Sequence, residues 1–452
     1  MLDKLKSPAA LVALGAITVV SLILWLFLAW PLLIKFLFIL ILYILVVGYF
    51  EPKFGFFLFL ILRPVLDFST DYKLFSSFGL TLNLAGVFAL AFLLFTLGII
   101  FKFGPRLRLA ASWPLLWSWL IFLVLAVVSL FWSFSRGSSL AELARLGTFF
   151  AAFLAAIILI ISKKDLTILI KVIIISAVIP GLVAVWQFFN QGGLIEGNQN
   201  RLFGTFAHPN MLAFFLILII TLGIFIGLNL RRERIEAYGY WFLALVLTVI
   251  LFFTYTRGAY LALAASVFLI GIIKYRRFLI IAIFGLLILY LGSNTIQARI
   301  NSIFQADPYG SISWRLALWQ DEISYIQAKP LTGYGLGLAQ PVIAANRDWR
   351  LGSTEPHNDF LRVGIDLGLV GIGLYCLLIL SLLYQLGKNF YQTQAPRLKM
   401  INLFILALAL ALYAASFGDN ILNDSALQLA WWGLLGALLV VQAPTLPRTA
   451  GS

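Results

Sequence analysis

The sequence has one cysteine in 452 residues, Cys376, and it lies inside an apolar run. That excludes an internal disulfide framework and a cysteine-based metal site. Histidine is almost as scarce, at two residues, His208 and His357. Charged side chains make up only 11% of the chain. Strict apolar/polar alternation is absent, and the apolar runs are continuous over about 20 residues, which excludes a transmembrane β-barrel. No soluble domain, low-complexity tract or internal repeat interrupts them.

What fills the chain instead is apolar. It is 62% hydrophobic, with a mean hydropathy of +1.01. A soluble fold of this length cannot hide so much apolar surface, so the sequence predicts an all-α, polytopic helical membrane protein. About 14 transmembrane helices are expected, at 9–30, 32–50, 53–66, 80–101, 113–132, 145–162, 166–190, 208–230, 240–255, 258–275, 278–293, 358–386, 400–417 and 425–442. The third is short enough to be re-entrant or strongly tilted. Lys4 and Lys6 before Ala9–Trp30 look like a signal peptide, but the run is long, has no clear cleavage site and leads straight into another span. It is expected to be a retained first helix.

The net charge of +14 raises the question of nucleic acid. With an internal N-terminus, however, most basic residues fall on the inner side, among them Lys53, Lys102, Arg106, Lys163, Lys164, Arg231, Arg232, Arg234, Lys274, Arg397 and Lys399. They read as topology determinants, with no nucleic acid as partner. The organisation is then a bundle over 1–292, one large extracytoplasmic loop over 293–357 and three further helices over 358–452, forming one membrane domain. Within the loop, an amphipathic helix is expected from Ser313 to Lys329, ended by Pro330, with Leu316, Trp319, Ile323 and Ile326 as its apolar stripe. It would lie on the membrane surface or pack on the bundle.

The unusual polar residues gather on the outer side. Arg201 lies in the polar loop Gln191–Phe206, Arg257 in the tight turn after Thr256, and Arg315 at the start of the loop helix. Convergent guanidinium groups suit a diphosphate, because each can bind phosphoryl oxygens bidentately, although each can equally be a snorkelling or structural arginine. Both histidines start membrane helices, as His208-Pro209-Asn210 and Pro356-His357-Asn358. A lone histidine there is commonly a boundary residue, but the positive end of the helix dipole favours a neutral ring, which suits a general base. Arg362 and Asp366, four apart, can pair on one helix face. Gly364 and Gly368 allow close packing. The turn Gly333-Tyr334-Gly335-Leu336-Gly337 offers backbone amides to phosphate, or is a plain flexible turn. Two distant histidines and few outer carboxylates argue against a metal site. The absence of a nucleotide-binding domain argues against a nucleotide-sugar donor.

Five segments then appear in order. They are Arg201–Asn210, Thr256-Arg257-Gly258-Ala259, Trp314-Arg315 with Trp319, Pro330–Gly337, and His357-Asn358-Asp359-Phe360-Leu361 with Gly368-Leu369-Val370-Gly371. Together they resemble the bacterial O-antigen ligase and O-antigen polymerase superfamily over about 195–375. Asp366 departs from the glutamate usual in the last motif. No catalytic role is carried onto His208.

The resemblance implies a metal-independent, inverting glycosyltransferase without cofactor, in the bacterial inner membrane with its site facing the periplasm. The donor would be an undecaprenyl-diphosphate-linked glycan. The acceptor would be a lipid-linked repeat unit for a polymerase or lipid A-core for a ligase, and the span count leans toward polymerase. His357 would be the base. Arg257 and Arg315 would hold the diphosphate with Arg201 as helper, and Asn358, Arg362, Asp366, Trp319 and Tyr334 would support them. Trp314, Trp319, Tyr334 and Trp349 suit either sugar stacking or membrane-surface anchoring. The alternative from another class is a transporter of a small anion or glycolipid.

Overall fold

A computed structural model describes residues 5, 7–27, 30–69, 72–77, 80–196, 199–230, 235–292, 294, 297, 301, 311–347 and 354–443. Ser293, Trp349, Arg299, Arg350 and the inner Lys4, Lys6, Arg231, Arg232 and Arg234 lie outside the described residues. The helices are α1 (Pro8–Phe27), α2 (Leu32–Phe50), α3 (Pro52–Leu62), α4 (Leu84–Phe103), α5 (Pro114–Val128), α6 (Arg136–Leu159), α7 (Lys163–Ile175), α8 (Val178–Asn190), α9 (Pro209–Asn229), α10 (Ile235–Phe253), α11 (Arg257–Ile273), α12 (Arg276–Gly292), α13 (Ser311–Ala328), α14 (Ala339–Asn346), α15 (Asp359–Gln392), α16 (Pro396–Ala415) and α17 (Ser425–Val440). The only sheet among the described residues is two antiparallel hairpins, β1 (Phe75–Ser77) with β2 (Leu80–Leu82) and β3 (Leu194–Glu196) with β4 (Gln199–Arg201).

The protein is an all-α, multi-pass membrane protein. Among the described residues, 9 helices are long and apolar enough to cross a bilayer, and α1, α11 and α17 carry shorter apolar stretches. The expected spans not counted among these lie at α1, α3, α11, α12 and α17, whose apolar helical stretches are shorter than 18 residues. Helix α3 has 11 residues, a rise of about 16 Å, against a hydrocarbon core of about 30 Å. Helices α7 and α8 form one stretch, Lys163–Asn190, in place of a single straight run.

Helix α9 is apolar all round and therefore central, with 89% of its spanning window buried. Helix α17 packs against α6 so closely that a Cβ on Gly436 would stand 2.3 Å from the Phe153 carbonyl oxygen. Trp432 fills the same seam, edge-on to Trp119 at 4.8 Å.

The loop helix α13 forms where the sequence predicts it, but its buried face is rotated. Leu316 and Ile323 are exposed, while Leu318, Glu322 and Ile326 face inward onto α15. Residues three and four apart lie one above another on a helix, so both 316-319-323-326 and 318-322-326 are continuous stripes, and it is the second that is buried.

Loop and bundle are joined at a break in α15. Gly368 has φ 69° and ψ −167°, and Leu369 donates to the Pro330 carbonyl over 2.7 Å in place of a helical bond. The carbonyls of Ile365 and Asp366 accept from Tyr334 and Gly335, both at 2.9 Å. The loop thus satisfies the backbone groups that the kink releases.

Candidate active site

Three chain segments meet at one end of the bundle, where α9, α11, α15 and α17 begin. Asn358 caps α15, its Oδ1 accepting from Phe360 (2.9 Å) and Leu361 (3.1 Å). Its Nδ2 donates to the Phe417 carbonyl at 3.0 Å, and its own amide donates to Asn420 Oδ1 at 3.1 Å. The helix start is therefore tied to the loop between α16 and α17. His357 stands one residue before the cap with φ 50°, a left-handed conformation that a non-glycine residue adopts at some cost. Its ring meets Trp314 edge-on at 5.6 Å. Trp319 donates from its indole to the Pro356 carbonyl at 3.1 Å, fixing the peptide in front of His357.

The residue that draws the segments together is Asp419, which the sequence reading missed. Its Oδ1 lies 3.7 Å from His357 Nδ1, and its Oδ2 accepts from Asn210 Nδ2 at 2.6 Å and lies 3.9 Å from Arg315 Nη2. Burial raises its pKa, but the His357 ring, the Arg315 charge and the Asn420 amide outweigh burial and hold it below the ordinary carboxylate value. The available signal was the polar run Gly418–Asp424 between two apolar spans.

The three arginines fall into two kinds. Arg315 gives Nη1 to the Gly418 carbonyl at 2.6 Å, and its buried Nε has no hydrogen-bond partner among the described residues. Arg257 is the first residue of α11, directly after Thr256. Arg201 is 7% exposed and spends its donors on the protein. Nε bonds the Thr254 carbonyl (2.8 Å), Nη2 bonds Asn210 (2.7 Å) and Thr256 (3.3 Å), and Nη1 pairs with Glu196. It clamps the β3–β4 hairpin to the turn that presents Arg257. His208 caps α9 by accepting from the Asn210 amide at 3.2 Å. Burial, then the Arg201 charge, lowers its pKa to about 4, so the ring is neutral near pH 7.

The supporting residues are arranged differently from the sequence expectation. Arg362 does not pair with Asp366. It bonds Glu142 Oε1 at 3.2 Å, and Glu142 also pairs with Arg145. Asp366 accepts instead from the amides of Gly337 (2.9 Å), Leu338 (2.8 Å) and Ala339 (2.7 Å). The glycine turn is therefore already filled by a carboxylate and has those amides committed, which removes it as a phosphate cradle. Tyr334 lies on the small core under the loop, with Lys329 over its ring at 4.5 Å. Among the described residues, no three His, Cys, Asp or Glu side chains converge as metal ligands would.

His357 and Arg315 thus approach the two oxygens of one carboxylate, Asp419, at the helix ends of a multi-pass protein. Residues 242–376 match the family model described as O-antigen ligase. The resemblance read from the sequence is borne out. The matched segment contains Arg257, Arg315 and His357, whereas Arg201, Asn210 and Asp419 lie outside it. A Rickettsia conorii protein whose name proposes it as a polysaccharide ligase is 29% identical over 92 residues, 18% of this chain and 22% of that protein. The chain thus matches about a fifth of that relative's length.

Proposed function

We propose that the protein transfers a glycan from an undecaprenyl-diphosphate donor to a sugar hydroxyl, on the periplasmic face of the bacterial inner membrane, with inversion and without a metal. It would act as a surface-polysaccharide polymerase or an O-antigen ligase. The observation that carries this reading is the Asp419 carboxylate set between His357, 3.7 Å from one oxygen, and Arg315, 3.9 Å from the other.

In this mechanism Asp419 orients the ring through Nδ1, which leaves Nε2 to take the proton from the acceptor hydroxyl. The 3.7 Å separation tightens into a hydrogen bond when the ring becomes cationic. The acceptor oxygen forms the new bond to the anomeric carbon as the bond from that carbon to the diphosphate oxygen breaks. The proton ends on His357, and the charge left on the lipid diphosphate is met by Arg257 and Arg315. Arg201 acts through the turn that carries Arg257.

The test is reconstitution with a lipid-diphosphate-linked repeat unit, with and without lipid A-core. Longer lipid-linked chains identify a polymerase, and transfer to the core alone a ligase. His357→Ala should abolish either product while leaving membrane insertion intact. Normal glycan yield in that variant would remove the base assignment. An intact donor with the wild-type protein would leave transport of a lipid-linked anion as the reading.

A further inference from the structure

Asp419 lies in the loop between α16 and α17, yet the mechanism needs its carboxylate at one place relative to His357. Around that carboxylate stand the His357 ring at 3.7 Å, Arg315 at 3.9 Å, the Asn420 amide at 2.9 Å and Asn210 Nδ2 at 2.6 Å. Asn210 makes the closest of these contacts. Asn420 is the next residue in the chain and moves with Asp419, so it cannot anchor it. Asn210 can. It is the second residue of α9, the helix at the centre of the bundle, and is itself 8% exposed. Its backbone amide is also committed, donating to His208 Nδ1 at 3.2 Å.

The orientation of the Asn210 side chain is dictated by its neighbours. A guanidinium only donates, so the atom that meets Arg201 Nη2 at 2.7 Å must be Oδ1. Thr256 Oγ1 donates to the same oxygen at 3.2 Å. That leaves Nδ2, which can only donate, turned toward Asp419, and its partner there must accept, as an ionised carboxylate does. Thr256 is followed directly by Arg257, the first residue of α11. One buried amide therefore bridges the carboxylate beside His357 to the turn that presents Arg257.

We propose that Asn210 is a positioning residue of this site, holding Asp419 against His357 and keeping that pair in register with the Arg257 turn. The inference rests on the glycosyltransferase reading above. Asn210 touches no reacting atom in this scheme and acts through Asp419.

Asn210→Asp separates the two arms of the bridge. It keeps an acceptor for Arg201 and Thr256 and replaces the donor to Asp419 by a second carboxylate. Two ionised carboxylates in contact repel, and as pH falls the pair takes up one shared proton, which puts a donor back between them. Among the described residues, the titratable groups that act on this pair are Arg201 and Glu196 from the β3–β4 hairpin, His208 before α9, Arg315 on α13, and His357 and Asp359 at the start of α15. Wild type and variant share them, so the comparison is the ratio of the two rates. At about pH 8 the kcat for glycan transfer should fall roughly 10²-fold or more, with a much smaller change in donor KM. The deficit should shrink as pH is lowered toward about 5. A merely structural asparagine would give a deficit that does not change with pH.

In an Asp419→Asn background the same substitution should cost little further kcat, because donor and acceptor are then exchanged and the bond re-forms. Thermal unfolding of the full chain in lipid nanodiscs reads that exchange without turnover. Asn210→Asp should lower the melting temperature at about pH 8, and adding Asp419→Asn should restore most of the loss. If the single variant does not fold, the double variant should. Wild-type kcat in Asn210→Asp, a deficit independent of pH, or losses that simply add in the double variant would overturn the proposal. A wild-type protein that leaves the lipid-diphosphate donor intact would sink the glycosyltransferase reading instead, and the melting temperatures would still decide whether Asn210 holds Asp419.

Discussion

His357 Nδ1 and Asp419 Oδ1 lie 3.7 Å apart, although one residue precedes α15 and the other follows α16. The carboxylate is held ionised by its neighbours, so it can keep the imidazole in one tautomer and stabilise the cation that forms on proton transfer. Asp419→Asn should therefore lower kcat by roughly 10²–10⁴-fold, the usual worth of a positioned acid–base group, with a smaller effect on donor KM. Because the folded pKa lies below the ordinary aspartate value of 3.8, the ionised form persists above that pH and is lost only as pH falls through the lower folded value. Asp419 should not set the acid limb of the rate profile near neutrality. Initial rates of glycan transfer from pH 4 to pH 9 check both points, and wild-type kcat in the variant would remove Asp419 from the mechanism.

Arg201 and Arg315 should separate cleanly under the same substitution. Lysine cannot reproduce the fork that Arg201 lays across Thr254, Asn210 and Thr256. Arg201→Lys should destabilise the protein by about 1–3 kcal/mol, leaving buried acceptors unmet, while the donor KM of the folded fraction rises less than in the Arg315 variant, because Arg201 acts only through the turn that carries Arg257. Arg315→Lys should leave the melting temperature nearly unchanged and raise the donor KM or lower kcat about tenfold or more. Thermal unfolding in detergent alongside steady-state kinetics distinguishes the pair. The reverse pattern would exchange the two roles.

The membrane class and the loop helix were legible because apolar run length and helical period are local properties of a sequence. Asp419 was not, because its importance arises only when the α16–α17 loop folds onto the start of α15. The same is true of Arg362. Its spacing to Asp366 marks a pair on an isolated helix, yet Glu142 from α6 and the amides at 337–339 compete for the two charges and win. Helix α13 shows the limit in another way. Its exposed Leu316 and Ile323 satisfy a helical period, but the face that packs on α15 contains the ionisable Glu322, which no hydrophobic pattern selects.

Gly368 is where α15 opens to receive the loop, and its backbone lies in a region that is almost glycine-only. A Cβ there would stand 2.5 Å from the Leu331 carbonyl group. Gly368→Ala should cost about 1–3 kcal/mol from the backbone conformation, and more from the clash. The effect should concentrate on the loop, because the Leu369–Pro330 and Tyr334–Ile365 bonds depend on the kink. Hydrogen exchange should show faster exchange at the 333–339 amides with little change in α9 or α17. Unchanged protection there would mean that the loop docks without the kink.

Glu322 supplies a pH test that is independent of catalysis. Its side chain is fully buried in α13, and neither carboxylate oxygen has a hydrogen-bond partner among the described residues. Burial raises its pKa from 4.5 to about 9, partly opposed by Arg347 and reinforced by Asp321 and Glu355. The folded state therefore holds a proton that the unfolded chain releases above pH 4.5. Stability from this group is fully present below pH 4.5, declines as pH rises toward 9, and changes no further above that. Glu322→Leu has no proton to hold and matches its apolar neighbours Leu318 and Ile326. It should melt higher than the wild type at neutral pH, by about 1–3 kcal/mol of stability, as a buried unpaired polar group is removed. The gap should widen from pH 5 to pH 9 in thermal unfolding of the detergent-solubilised protein. A gap that stays constant across that range would mean that Glu322 does not titrate between 4.5 and 9, and that its carboxyl has a charge-stabilising partner in solution.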